Sequence, residues 1–225
     1  MSSARTAQLD PTRPVVEQLR ERMAAMERRP AADPVPTLPG LADVLPLHAG
    51  ATYAVDSASL ALALAAGASQ AGAWVGFAGC PDFGAEAAAA LGIELSRTVL
   101  VPDPGEHWLE VTAALVDVLR VVVLRPPAQV SEKNAAVLDS RLRNRSAVLV
   151  VHGRWPRVEA RLSTVDSGWE GAEAGTGQLA SRRAGVVVHR GSRLPQRVDL
   201  SWPGVVRVDL VEGADQPRDL RRAIG

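Results

Sequence analysis

VVVLRPPAQVSEKNAAVLDSRLRNRSAVLVV, residues 121–151, is the stretch whose reading decides the fold. Val121 to Leu124 and Ala147 to Val151 are apolar runs, as expected of strands buried on both faces. The segment between them, Ser131 to Arg145, reads as a helix. The unit is strand, helix, strand, and the same alternation extends toward the N-terminus. There, strands at Ala51 to Val55, Trp74 to Ala78 and Thr98 to Val101 alternate with helices at Ser57 to Ala71, Phe83 to Leu91 and Gly105 to Leu119. Strands alternating with helices predict a parallel sheet with right-handed crossovers and helices on both faces.

The pattern changes beyond Trp155. Val158 to Val165, Gly185 to His189, Arg197 to Trp202 and Val205 to Val211 alternate apolar with polar residues, and Gly-rich turns such as Gly168 to Gly177 separate them. These read as antiparallel strands that extend the sheet. At the other end, Met1 to Thr12 is polar and aperiodic and reads as disordered. Val15, Leu19, Met23 and Met26 then recur at helical steps behind Pro14, a residue suited to a first helical turn. Arg28-Arg29-Pro30 ends this amphipathic helix, and Pro30 to Pro39 reads as a stiff linker. The division is residues 1–36 for start, helix and linker, 37–212 for the α/β domain, and 213–225 for a charged tail.

Composition narrows the function classes. With aromatics at only 4%, the core must be built from Ala, Val and Leu. The single cysteine, Cys80, excludes an internal disulfide and cannot by itself make a Cys-based metal site. The four histidines, His48, His107, His152 and His189, have no zinc-ligand spacing. No stretch approaches the roughly 18 apolar residues of a membrane span. The longest apolar region, Leu60 to Gly79, is broken by Gly67, Ser69, Gln70 and Gly72, so a cytoplasmic protein is expected. Formal net charge is zero, yet residues 1–140 carry 10 Lys/Arg against 16 Asp/Glu, and residues 141–225 carry 15 Arg against 9. An acidic half joined to a basic half suits recognition of a charged partner.

A sheet that begins strand, loop, helix invites a test for a phosphate-binding loop, which needs glycines, a lysine and a Ser/Thr. The first strand instead passes through Asp56-Ser57-Ala58-Ser59 into Leu60, with neither glycine nor lysine. Asp56 or Ser57 is expected to cap the helix.

Leu38-Pro39-Gly40, the strand start at Gly50, Gly72 to Ile93, Asp103 to Val111, Val121 to Arg125, Val148 to His152 and Val158 to Gly168 together resemble bacterial RecA recombinases. AlaGlyAlaTrpValGly, GluLeuSerArgThrValLeuValProAspProGly and HisGlyArgTrpPro resemble the actinobacterial RecA-like accessory proteins called ImuA-prime. That resemblance implies a RecA-like core and a role in SOS-induced translesion mutagenesis and DNA damage tolerance. The implied partner is ImuB, an inactive homologue of Y-family polymerases, with an error-prone C-family polymerase reached indirectly. It also implies losses. The position of RecA's catalytic glutamate falls on Cys80, and that of its metal-supporting aspartate on Arg125. The stretches matching its DNA-binding loops, Pro126 to Ser131 and Gly153 to Arg157, are short. The expectation is an adaptor without enzymatic activity, cofactor or metal, touching DNA weakly or indirectly. A SulA-type cell-division inhibitor that binds a tubulin-like GTPase is one alternative. An unconventional NTPase or DNA-binding protein is another.

Two groups of residues are candidates for the contact. Arg141, Arg143, Arg145, Arg154 and Arg157 gather around the Val148 strand with Trp155 among them, a mixture that suits a partner hot spot or stacked nucleic acid. A solvated helix face plus a core tryptophan is the plain alternative. Leu19, Met23 and Met26 form a stripe that the protein's own domain, a second subunit or a partner must cover.

Overall fold

A computed structural model describes residues 34–39, 41–170, 181–202 and 209–211. They fall within the unit Asp33–Gly225. Leu19, Met23 and Met26, the start of the chain and the charged tail lie outside the described residues.

The elements run β1 (Pro34–Val35), α1 (Leu41–Val44), β2 (Leu47–His48), β3 (Thr52–Val55), α2 (Ala58–Gln70), β4 (Val75–Ala78), α3 (Ala85–Ala90), β5 (Thr98–Val101), α4 (Trp108–Val118), β6 (Val121–Leu124), α5 (Glu132–Arg145), β7 (Val148–His152), β8 (Ala160–Glu170), β9 (Ser181–His189), β10 (Gln196–Trp202) and β11 (Asp209–Val211). Short 3-10 turns, Leu95–Arg97 and Gly105–His107, precede β5 and α4. Nine strands form one sheet in the order β11-β10-β9-β8-β3-β7-β6-β4-β5. Pairing is parallel from β8 through β3 to β5 and antiparallel from β8 to β11. The expected α/β sheet with antiparallel C-terminal strands is therefore what the chain forms.

Strand side chains alternate between the two faces, so each central strand serves two cores. Val121, Val123, Val148 and Val150 join α2 residues such as Leu60 and Leu64 in one core. Val122, Leu124, Leu149 and Val151 join Val116 of α4 and Leu138 and Leu142 of α5 in the other. Here the uninterrupted apolar runs have their physical cause. On β9 and β10 only one face is apolar: Val186, Val188, Val198 and Leu200 pack into the first core. The opposite face of these strands carries His189, Arg197 and Asp199 beside a half-buried Val187, and that asymmetry positions the site described below.

Local sequence sets the helix ends. Ser57 Oγ accepts from Leu60 N at 3.4 Å and Ser131 Oγ from Asn134 N at 3.2 Å, each satisfying a free amide of a first turn. α5 ends at Ser146 with φ 53°, where Arg120 donates to the Ser146 carbonyl at 2.6 Å.

Pro34 to Pro39 corrects the linker reading. Pro34–Val35 pairs with Leu47–His48, and Val35 and Leu38 are buried. The segment lies directly on α2: a Cβ added at Gly67 would come within 2.3 Å of the Thr37 carbonyl carbon. A mid-helix glycine that weakens the apolar pattern in sequence is thus the point where chain and helix cross. Among the described residues, no helix is long and apolar enough to span a membrane.

Candidate functional site

In open α/β sheets, ligands gather where the parallel strands end at their carboxyl side. In this chain that end is bridged internally. Asp56, which follows β3, does not cap α2; Ser57 does. Its carboxylate instead accepts from Thr164 N at 2.7 Å and Thr164 Oγ1 at 3.1 Å, tying the β3 loop to β8. After β6, Arg125 donates to both carboxylate oxygens of Asp82 at 3.1 Å each, joining the β6 loop to the β4 loop. Gly79 makes this approach feasible, because with φ +71° a Cβ there would lie 2.2 Å from the Arg125 carbonyl oxygen. Cys80 sits half-buried in the same loop, its Sγ 3.6 Å from the Ala78 carbonyl. Burial pushes its thiol pKa up, the Asp82 charge pushes it further, and Arg125 partly offsets both. Cys80 and Arg125 are therefore a half-buried thiol and an ion-paired guanidinium. Among the described residues, no group of three His, Cys, Asp or Glu side chains is arranged to hold a metal ion.

The arginines singled out in sequence have different surroundings. Arg141 and Arg145, on the last turns of α5, both reach Asp117 of α4, at 2.7 Å and 3.2 Å. They serve helix pairing. Arg143 is exposed and leans its stem on Gly50, whose added Cβ would lie 3.2 Å from Arg143 Cγ. Trp155 corrects the hot-spot reading. It is 4% exposed and belongs to the core of Leu138, Leu142 and Leu149. The reason is topological: the chain leaves β7 and must pass β3 to start β8 parallel to it, so this crossover lies over the sheet. Glu159 N, donating to Thr52 O at 2.8 Å, marks its arrival. A ring carried there packs inward, while Arg154 and Arg157 on either side stay exposed.

Arg157 does join a cluster, with residues the sequence did not single out. It lines an open cleft of about 700 Å³ with Arg161, Ser163 and His189, together with the apolar Pro156 and Val158. Register explains the grouping. Arg161 stands opposite His189 across the β8–β9 ladder. Their neighbours Ala160, Leu162 and Val188 are buried in the first core, so Arg161, Ser163 and His189 share the polar face. Among the described residues, the side chains of Arg157, Arg161 and His189 have no ion-pair or hydrogen-bond partner, and no Asp or Glu lines the cleft. Further along this face the guanidinium is already paired: Arg197 contacts Asp166 at 2.6 Å and Asp199 at 3.5 Å. Two guanidiniums and an imidazole beside a hydroxyl can donate to anions; Arg in particular presents a planar fork that fits a carboxylate or phosphate.

The signal for part of this cleft was present in sequence. Arg161 and Ser163 are the polar positions of an alternating strand. His189 needed the strand register.

Comparison with known proteins places the body of this fold. The model of the family described as MT3502 N-terminal domain matches residues 40–157, just over half of the chain. The match covers the parallel strands through β7 and the crossover as far as Arg157. The chain is also 33% identical over 168 residues to the uncharacterized protein Rv3395c of Mycobacterium tuberculosis, covering 69% of this chain and 78% of that protein. The chain therefore belongs to the MT3502 family, and its residues 40–157 are the family's N-terminal domain.

Proposed function

We propose that this chain is a non-catalytic RecA-like adaptor of the cytoplasm, acting in SOS-induced DNA damage tolerance by binding a polymerase-like partner of the ImuB type. The RecA-like part of the reading is supported by a central, mostly parallel sheet with helices on both faces and antiparallel strands added along one edge. The observation that carries the non-catalytic part is the internally bridged carboxyl end of the sheet. A nucleotide there would have to displace Asp56 from Thr164 and Arg125 from Asp82. It would meet no lysine, since Lys133 is the chain's only one and stands in the first turn of α5. Phosphoryl transfer depends on positioned positive charge and a metal at this point. Binding, in this reading, is the whole activity, and an error-prone C-family polymerase is reached through the partner.

Two measurements test the proposal together. Calorimetry of the purified protein with Mg-ATP should give no binding heat, and micromolar binding that is lost on Arg125→Glu would overturn the non-catalytic reading. Affinity capture from cells treated with a DNA-damaging agent should enrich a polymerase-like protein. Enrichment of a tubulin-like GTPase in its place would sink the adaptor assignment.

A further inference from the structure

We infer that the cleft of Arg157, Arg161, Ser163 and His189 is a docking site for an acidic segment of a partner protein, in which Asp or Glu carboxylates are flanked by aliphatic side chains. The inference rests on the adaptor reading and adds to it the surface used and the chemistry recognised.

Charge comes first. Arg157, Arg161 and His189 line one shallow, open cleft without an acidic lining residue, and none of their side chains has a partner among the described residues. Several other arginines of the fold are spent on carboxylates or carbonyls: Arg125 on Asp82, Arg141 and Arg145 on Asp117, Arg197 on Asp166, Arg120 on Ser146. Two unpaired guanidiniums gathered on one patch attract an anion more strongly than the same charges dispersed over the surface. The two guanidiniums can each take a carboxylate in the two-bond fork geometry, and the Ser163 hydroxyl supplies a further donor.

Shape and surroundings then select peptide carboxylates over a nucleic-acid strand. The patch is short, because beyond Ser163 the same face carries two carboxylates, Asp166 and Asp199, on the one guanidinium of Arg197. Tracking a phosphate backbone requires a continuing positive groove, and single-strand binding adds aromatic platforms on which bases stack. No Phe, Tyr or Trp side chain lines this cleft, His189 being its one ring, and Trp155 is buried in the second core. The lining carries Pro156 and Val158 instead, apolar surfaces that suit Leu or Val side chains between carboxylates. Arginine anchors surrounded by apolar contact are the usual composition of an interface centre.

The test uses the full chain and a fluorescein-labelled peptide of alternating Asp and Leu, read by anisotropy. Arg157→Glu and Arg161→Glu should each weaken binding by about tenfold or more, the effect of losing one charge-assisted contact. Arg161→Lys, which keeps the charge without the fork, should fall between. Lys133→Glu makes the same charge change outside the cleft and should leave binding as in the wild type. Circular dichroism of each variant shows that it is folded; Arg157→Glu, at an exposed position, keeps the test decisive if Arg161→Glu is not. No binding of the peptide by the wild type, or equal binding by Arg157→Glu, overturns the inference. So does tighter binding of labelled oligothymidine that competes with the peptide, since the anion would then be phosphate. Affinity capture separates this from the adaptor reading. A polymerase-like partner retained equally by wild type and Arg157→Glu defeats the cleft and leaves the adaptor standing. No such partner with the wild type defeats the adaptor reading itself.

Discussion

Replacing Trp155 by alanine separates two roles for that ring, core wedge and surface anchor, by a wide margin. The ring is 4% exposed within the core shared by Leu138, Leu142, Leu149 and Val151. Truncating a buried Trp removes its transfer free energy and leaves a cavity, for a loss of about 3–5 kcal/mol. For a chain of this size each kcal/mol lowers the melting midpoint by roughly 2–4 °C, so the midpoint should fall by on the order of 10 °C. A second substitution sharpens the reasoning. The indole Nε1 is buried without a hydrogen-bond partner among the described residues. An unsatisfied buried donor costs about 1–3 kcal/mol, a penalty that Trp155→Phe removes while keeping much of the aromatic packing. Trp155→Phe should therefore lose less than about 2 kcal/mol despite its smaller ring, the lost packing being offset by the missing donor. Scanning calorimetry or circular dichroism at neutral pH measures both variants. A Trp155→Ala protein that melts with the wild type but no longer captures its partner would show the ring displayed in solution, and this account of the crossover would fail.

The other predictions concern the bridged sheet end and the α4–α5 pair. Gly79→Ala forces a Cβ toward the Arg125 carbonyl at a positive φ; it should cost more than the roughly 1–3 kcal/mol of backbone strain alone, and a wild-type urea midpoint would contradict the close approach. The Cys80 pKa is raised by burial and by Asp82 and lowered in part by Arg125. Its thiolate is therefore scarcer at neutral pH than that of a free thiol. Iodoacetamide should react more slowly than with glutathione and gain rate only at alkaline pH, with Asp82→Asn faster and Arg125→Gln slower; a glutathione-like rate would refute the shift. Because the unfolded chain ionises this thiol first, its contribution favours unfolding as pH rises past the ordinary thiol range. Asp117→Ala removes ion pairs to two half-exposed arginines. Each such surface pair is worth at most about 1 kcal/mol, so the midpoint should drop by only a few degrees, as thermal melts will show.

The parallel body was legible because its cause is written locally. Val121 to Leu124 and Val148 to Val151 face two cores at once, so both parities of each strand are apolar and the runs cannot be mistaken for surface. β8 and β9 were legible as alternation, but their lengths were not: β8 continues past Gly168 to Glu170, because pairing with β9 persists to Ser181. A glycine whose added Cβ would meet nothing within 4 Å interrupts no contact there, and composition alone cannot distinguish it from a turn. The Pro34–Val35 and Leu47–His48 pair escaped for the opposite reason. A two-residue strand has no period, and what holds this one is the burial of Val35 and Leu38 beside α2.

The site was harder to read because its two halves depend on pairings that sequence spacing does not encode. Asp56 was legible as a misfit for phosphate but not as a tie to Thr164, since that contact exists only because β8 lies beside β3. The same adjacency sends the crossover over the sheet, turns Trp155 inward and leaves Arg157 at the rim. Antiparallel return of β9 then sets His189 opposite Arg161. A run of basic residues in one stretch of sequence thus separates in space, with Arg141 and Arg145 drawn to Asp117 and Arg157 placed on the cleft that Arg161 and His189 also line. Net charge located the half of the chain that carries the cations. The strand register, which spacing in the sequence does not encode, is what sets Arg161 and His189 side by side on the open face that Arg157 borders.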